Sequence, residues 1–348
     1  MIAGKLKAMG IVLLGCWCML ASASGAAEGP EKFDVVVVSG TPGGIMAAVA
    51  AARNGHSAII LERTEHIGGL PANGLGASDI ATRGATAGLF REFIQRVKKY
   101  YVATYGEKSE EVKECSDGYH FEPKIAEKVF EDLLAEHADK ITVRKGRQFD
   151  TEPENVTLQA GRLVEITVLV RATKSKERYA GKVFIDASYE GDLAAAAGAS
   201  FRVGREGFDE FREPMAGRIY KKWGGDLGPG SSGEGDNAIQ AYNYRLCLTN
   251  KPENRVPIAK PKRYNREEFA SFVDDMRGNI ATGKADKGWV GIVKVLNPVG
   301  LPRGKVDANN QHLAFISSDL PEENWPWPTS GWDWRDRYAE RLRSTRWA

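Results

Sequence analysis

The sequence predicts an α/β fold: a strand–helix–strand core with a β-meander, interleaved with a mixed α+β region. Three observations carry that expectation. Phe33-Asp34-Val35-Val36-Val37-Val38 is a nearly unbroken β-branched run, the pattern of a strand buried on both faces in a parallel sheet. The glycine-rich turn Ser39-Gly40-Thr41-Pro42-Gly43-Gly44 and a small-residue helix, Ile45 to Asn54, follow it at once. A second strand, Ser57 to Leu61, then closes the unit on Glu62. Composition agrees, since 42% hydrophobic and 27% charged residues describe an ordinary globular chain and exclude a disordered one. A length of 348 residues fits about two domains at roughly 150 residues each.

Residues 1–26 read as a signal peptide. Lys5 and Lys7 precede the apolar run Ile11 to Leu20, and the small-residue stretch Ala21 to Ala27 supplies a cleavage site. The run falls short of the about 20 apolar residues that span a bilayer, so no stable membrane span is expected. The expected location is periplasmic or extracellular. Leu13-Leu14-Gly15-Cys16 leaves lipoprotein anchoring at Cys16 as the lesser alternative. The 48 basic and 46 acidic side chains nearly cancel and no basic stretch stands out, which argues against a nucleic-acid partner. Beyond the leader only Cys115 and Cys247 remain; they are a disulfide pair or two free thiols.

The core unit leads into two helices by spacing, Gly88 to Tyr101 and Pro123 to His137. Short strands follow at Ile141 to Val143, Asn155 to Leu158 and Leu163 to Ala172, the last two bracketing an Ala160-Gly161-Arg162 turn. Tyr179 to Ile185 is a further strand, running into Asp186-Ala187-Ser188, and a short helix begins near Asp192 and stops at Gly198. From about Phe201 the texture loosens: Gly224 to Asp236 reads as a loop, Arg245 to Leu248 as a strand and Arg266 to Arg277 as a helix. The domain expectation is therefore 33–200 with a helical insertion at about 71–138, then 201–348.

The glycine turn and the acid after the second strand carry the chemistry. A dinucleotide pyrophosphate sits against backbone N–H groups at a helix N-terminus, and side chains there block its approach. The usual G-x-G-x-x-G places are held here by Ser39, Thr41 and Gly44, with Gly40 and Gly43 between them. Glu62, 23 residues after Ser39, stands where a carboxylate accepts the ribose hydroxyls. Beyond it lies Glu62-Arg63-Thr64-Glu65-His66-Ile67-Gly68-Gly69, then Ile185-Asp186-Ala187-Ser188-Tyr189-Glu190-Gly191-Asp192-Leu193-Ala194.

Together these segments resemble the FAD-dependent oxidoreductase family, in particular secreted bacterial members, some labelled "xanthan lyase". The resemblance runs from about residue 33 to 325 and implies a Rossmann-like, glutathione-reductase-like FAD domain interleaved with a substrate domain. It implies FAD as cofactor, with Ser39, Gly40, Thr41, Pro42, Gly43 and Gly44 on the pyrophosphate and Glu62 on the ribose. Arg63, His66, Gly68, Gly69, Asp186, Ala187, Ser188, Gly191 and Asp192 complete the implied cofactor set. Asp192 is equally a plain helix cap, and His66 is either a flavin neighbour, even a covalent attachment point, or a solvated loop residue.

Outside the nucleotide core, His120 and His312 are the candidate bases for taking a substrate proton. Arg205, Lys305 and Asn309 are candidate substrate contacts, although isolated cations are usually solvated. Asp307, Asn309, Asn310 and Asp319 do not have the spacing of a calcium loop, so no metal is expected. The tryptophans at 325, 327, 332, 334 and 347 suit either carbohydrate stacking or coverage of a core edge. The family's chain returns to the FAD domain with a last strand and an Ala-rich helix, and residues 326–348 show neither. The expected function is hydride transfer from a small polar, sugar-derived substrate to flavin, with the electron acceptor unidentified. A non-catalytic or truncated FAD- or carbohydrate-binding protein is the alternative.

Overall fold

The structure, a computed structural model, describes residues 29–221, 225–261, 264–270, 273, 296–310, 319–320 and 322–345. The predicted signal peptide lies outside the described residues. The central sheet comprises β1 (Glu31–Val38), β2 (Ala58–Leu61), β3 (Ile141–Arg144), β4 (Arg147–Gln148), β5 (Val156–Gln159), β6 (Arg162–Val170) and β7 (Lys176–Asp186). Its order is β3-β2-β1-β7-β6-β4, with β5 paired to β6. The pairs of β1 with β2, β1 with β7 and β2 with β3 are parallel, whereas β6 runs antiparallel to β4, β5 and β7. The expected α/β class, with a parallel core and a meander, is what the chain adopts.

β1 is buried on both faces, as its β-branched run requires. Val35 and Val37 face one core with α1 (Pro42–Arg53), α3 (Gly88–Tyr105) and α5 (Pro123–Ala135). Phe93 of α3 stacks on Phe130 of α5 at 4.5 Å, with Phe121 edge-on at 5.5 Å. Val36 and Val38 face the meander, against Ile166, Val168 and Tyr179. The small residues Ala48 and Ala52 let α1 lie close on the sheet. Short helices α2 (Gly69–Ala72), α4 (Glu110–Glu114), α6 (Asp192–Ala196) and α7 (Phe208–Phe211) punctuate the connections.

A second, antiparallel sheet has the order β8-β10-β9, formed by β8 (Leu246–Thr249), β9 (Leu296–Leu301) and β10 (Lys305–Asn310). One carboxylate fastens it to the first region. Asp307 is fully buried and accepts from Arg245 Nε at 2.7 Å, from Gly76 N–H at 3.1 Å and from Ala77 N–H at 3.2 Å. Gly76 is required there, because a Cβ would lie 2.6 Å from the Phe121 carbonyl oxygen. Of the helix predicted over 266–277, Arg266–Phe269 is a 3₁₀ turn and most of the remainder lies outside the described residues.

Residues 326–348 were expected to carry no Ala-rich helix, and the helix that forms there, α8 (Trp332–Thr345), is built of arginines, acids and aromatics instead. Its inward stripe is Arg335, Tyr338 and Leu342, so aliphatic periodicity was absent and an arginine occupied a core position. Trp327, Trp332, Trp334 and Tyr338 pack on one another, with Trp334 stacked on Tyr338 at 5.3 Å. Of the two readings for the tryptophans, these three follow core coverage. Arg335 is 1% exposed and forms a two-pronged ion pair with Asp192, at 2.9 Å for its Nη2–Oδ1 arm. It also donates to the carbonyls of Trp327 and Pro328. Cys115 is buried and Cys247 exposed; both are free thiols.

Two stability outcomes follow from these contacts. Arg335→Ala strands a buried carboxylate and costs about 3–5 kcal/mol in urea unfolding, against under about 1 kcal/mol for the partly exposed Arg53 partner of Glu92. Ser39 holds φ +80°, a left-handed conformation that costs a non-glycine residue about 1–2 kcal/mol. After the unfolded-state entropy of glycine is subtracted, Ser39→Gly raises stability by about 0.5–1 kcal/mol, read as a higher Tm.

Candidate functional site

The C-terminal ends of β2, β1 and β7 lie side by side, since Val38 pairs with both Leu61 and Asp186. The chain leaves β1 toward β2 on one side and receives β7 on the other. Ligands of open α/β sheets bind at such a reversal. A cleft of about 270 Å³ opens there, its walls including Ser39, Thr41, Glu62, Arg63, Tyr189 and Trp332.

The turn after β1 is built by close approach. A Cβ on Gly44 would lie 2.2 Å from the Ser39 carbonyl oxygen, so only glycine allows α1 to start there. Thr41 is the N-cap of α1 and donates its hydroxyl to the Ala187 carbonyl at 2.7 Å, joining the turn to the end of β7. Pro42 occupies the first helical turn, where a missing N–H costs nothing. Gly43 has only the Thr41 hydroxyl near its Cβ position, at 3.8 Å, so the helix start stays open to an incoming group.

Glu62 is 7% exposed, and its two carboxylate oxygens are held from different sides. Oε2 accepts the Gly40 N–H at 2.7 Å, and Oε1 accepts the Thr64 N–H at 2.7 Å and the Thr64 hydroxyl at 2.8 Å. Gly68 (φ +96°) donates to the Gly40 carbonyl at 2.7 Å, so the second glycine pair lies directly on the first turn. A Cβ on Gly69 would sit 2.3 Å from the Tyr189 hydroxyl, which accepts the Leu70 N–H. Asp186 organises the β7–α6 loop by accepting from Ser188 N–H, the Ser188 hydroxyl and Ala194 N–H. Ser188 in turn accepts the Gly191 N–H, and Asp192 opens α6 with its carboxylate on Arg335.

The structure thus brings Ser39, Thr41, Glu62, Arg63, His66, Gly69, Ser188 and Asp192 into one cleft. Gly40, Gly43, Gly44, Gly68, Ala187 and Gly191 build the turns behind it. Asp186 acts through the loop it caps. Arg63 stacks on Trp332 at 3.8 Å and donates to Gln148 and Asp336, and its burial lowers its pKa from the ordinary arginine value. The His66 ring is exposed and lies 3.0 Å from Glu127. Arg147, Phe149, Tyr189, Glu190 and Trp332 also line the cleft and were not in the predicted set. Tyr189 and Glu190 lay inside the quoted segment, whereas nothing local marks Trp332.

The other candidates among the described residues do not line this cleft. His120 bridges to Ala77, and burial lowers its pKa, favouring the neutral imidazole. Arg205 forms a two-pronged pair with Asp236, 2.8 Å for Nε–Oδ1, so its charge is committed within the chain. Lys305 sits on β10 opposite Thr249 and Leu301, and Asn309 accepts from the Asn243 amide at 2.9 Å. His312 lies outside the described residues. Among the described residues no cluster of three His, Cys, Asp or Glu could hold a metal, and no helix is long and apolar enough to cross a membrane.

The residues present suit FAD. The α1 start offers orphan N–H groups and a positive dipole end to a diphosphate, and Glu62 stands at the ribose position after β2. Leu61, Phe149 and Trp332 give apolar walls.

The chain is 48% identical over 42 residues to an NADH oxidase of Thermoanaerobacter brockii, a match covering 12% of this chain and 6% of that protein. Among solved structures it is similar to a myxobacterial chondrochloren halogenase (20% identity, TM-score 0.33, 46% of this chain and 38% of that one). It is also similar to the Bacillus halodurans glycerol-3-phosphate dehydrogenase complexed with FAD (11% identity, TM-score 0.33, 48% and 37%). The chain therefore spans well under half the length of these relatives. The model of the FAD dependent oxidoreductase family matches residues 34–334, nearly the whole of the described chain, and the protein belongs to that family.

Proposed function

We propose that this chain is an exported FAD-dependent oxidoreductase that oxidises a small polar, sugar-derived alcohol. The observation that carries the cofactor reading is the convergence of the Ser39–Gly44 turn, Glu62, the Gly68-Gly69 loop and Ser188–Asp192 on one cleft at the strand ends. The substrate class rests on the leader-like residues 1–26 and the family resemblance.

FAD, when bound, supplies a two-electron acceptor for hydride. The chain's own residues do the rest. The α1 N-terminus neutralises a diphosphate without a basic side chain, and Thr41 fixes that helix start against β7. Glu62 holds the turn through the Gly40 and Thr64 donors and so fixes the strand-end backbone against which the ribose would lie. His120 stands outside this cleft as the candidate substrate base, and burial favours the neutral imidazole that a base requires.

Purified protein should take up FAD and show flavin absorbance; a chain that stays colourless with added FAD overturns the cofactor reading. Glu62→Gln should weaken FAD binding at least about tenfold in a flavin-fluorescence titration. Both Glu62 oxygens accept backbone N–H groups at 2.7 Å, so an amide NH₂ must oppose a donor on one side. Glu62→Gln binding like wild type would remove Glu62 from the site. For export, N-terminal sequencing of the secreted protein should start at Ala27.

A further inference from the structure

The cleft holds three carboxylates, two of which are fully engaged within the chain. Glu62 is held by the Gly40 and Thr64 donors, and Asp192 by both arms of Arg335. The cleft's cations are engaged too: Arg63 donates to Asp336 and Gln148, and Arg147 pairs with Glu177. Glu190 is different. It lines the cleft beside Ser39, Thr41 and Tyr189 yet enters no ion pair among the described residues.

The groups around it explain that position. From α8 and the segment before it come Arg335, already committed to Asp192, and the Trp327 indole. From α6 comes Asp192, a like charge. Tyr189, Tyr242 and Arg63 complete its electrostatic neighbours, and His66 and Glu62 share the cleft. Burial, the largest effect, pushes the Glu190 carboxyl above the usual carboxylate range; the Arg335 charge opposes that shift more than the Asp192 charge adds to it. A diphosphate arriving at the α1 turn adds further negative charge to the same small space.

We propose that Glu190 carries a proton in the nucleotide-bound protein and donates a hydrogen bond into the cleft, so that binding FAD takes up a proton from solvent. This deepens the cofactor reading and rests on it. The proton comes from water and is released when FAD leaves; no bond of the cofactor changes. An ionised Glu190 would face an anion with no cation of its own, whereas the protonated carboxyl is a donor where a donor is needed.

The test is a fluorescence titration of the full chain with FAD between about pH 5.5 and about pH 8.5. The FAD diphosphate is a diester that keeps its charge throughout this range. Wild-type Kd should rise with pH, approaching about tenfold per pH unit above the Glu190 pKa. Glu190→Gln, a neutral residue of the same shape, should hold the low-pH affinity across the range. Calorimetry of the wild type in two buffers of different ionisation heat reads the proton uptake directly, even if the variant fails to fold. FAD binding with a flat pH profile and no proton uptake overturns the Glu190 proposal alone. A pH dependence that persists in Glu190→Gln assigns the proton to another group and also overturns it. No FAD binding at any pH overturns the cofactor reading and this proposal together.

Discussion

The parallel pairing of β1 with β2 and β7 is the constraint from which the rest of the cleft follows. Its register ends all three strands at one level, at Val38, Leu61 and Asp186. The residues next in sequence, Ser39, Glu62 and Ala187, then emerge together. The Glu62 carboxylate holds the first two ends by taking the N–H of the first turn and the N–H of its own loop. The Thr41 hydroxyl does the same toward β7 through the Ala187 carbonyl. The helix start is thereby aimed before any ligand arrives, and preorganised N–H groups lose little on binding an anion.

A second layer supports this arrangement from far along the chain. α8 reaches the nucleotide core through Arg335 on Asp192, Trp332 on Arg63 and the Trp332 indole on the Phe149 carbonyl. An arginine that is 1% exposed is tolerated because every direction it points meets an acceptor: a carboxylate and two carbonyls. Arg335 is paired with Asp192 and reaches Glu190 only as a nearby charge, so two acids two residues apart, Glu190 and Asp192, have unlike electrostatic surroundings.

The second sheet shows the same economy. A single buried carboxylate, Asp307, joins β10 to Gly76 and Ala77 while neutralising Arg245. That use explains why the oxygen-rich stretch around it binds the chain itself, with Asn309 on Asn243 and Asn310 on Asp319.

The sequence by itself determined the local units. A β-branched run, a glycine turn that tolerates no Cβ at Gly44, an alanine-rich helix and an acid after the next strand each act over a few residues, and backbone sterics decide them. The cofactor-binding turns were legible for that reason. Tertiary structure alone decided what crosses long sequence distances. Trp332 on Arg63 and Arg335 on Asp192 join residues whose neighbours in sequence say nothing of the pairing, and an inward-facing arginine hides the helix that carries them. Arg205 likewise reads as a free cation until Asp236 is seen against it. The physical reason is that an isolated charge in a sequence has no fixed meaning, because its partner, its burial and its protonation are set only when the chain closes around it.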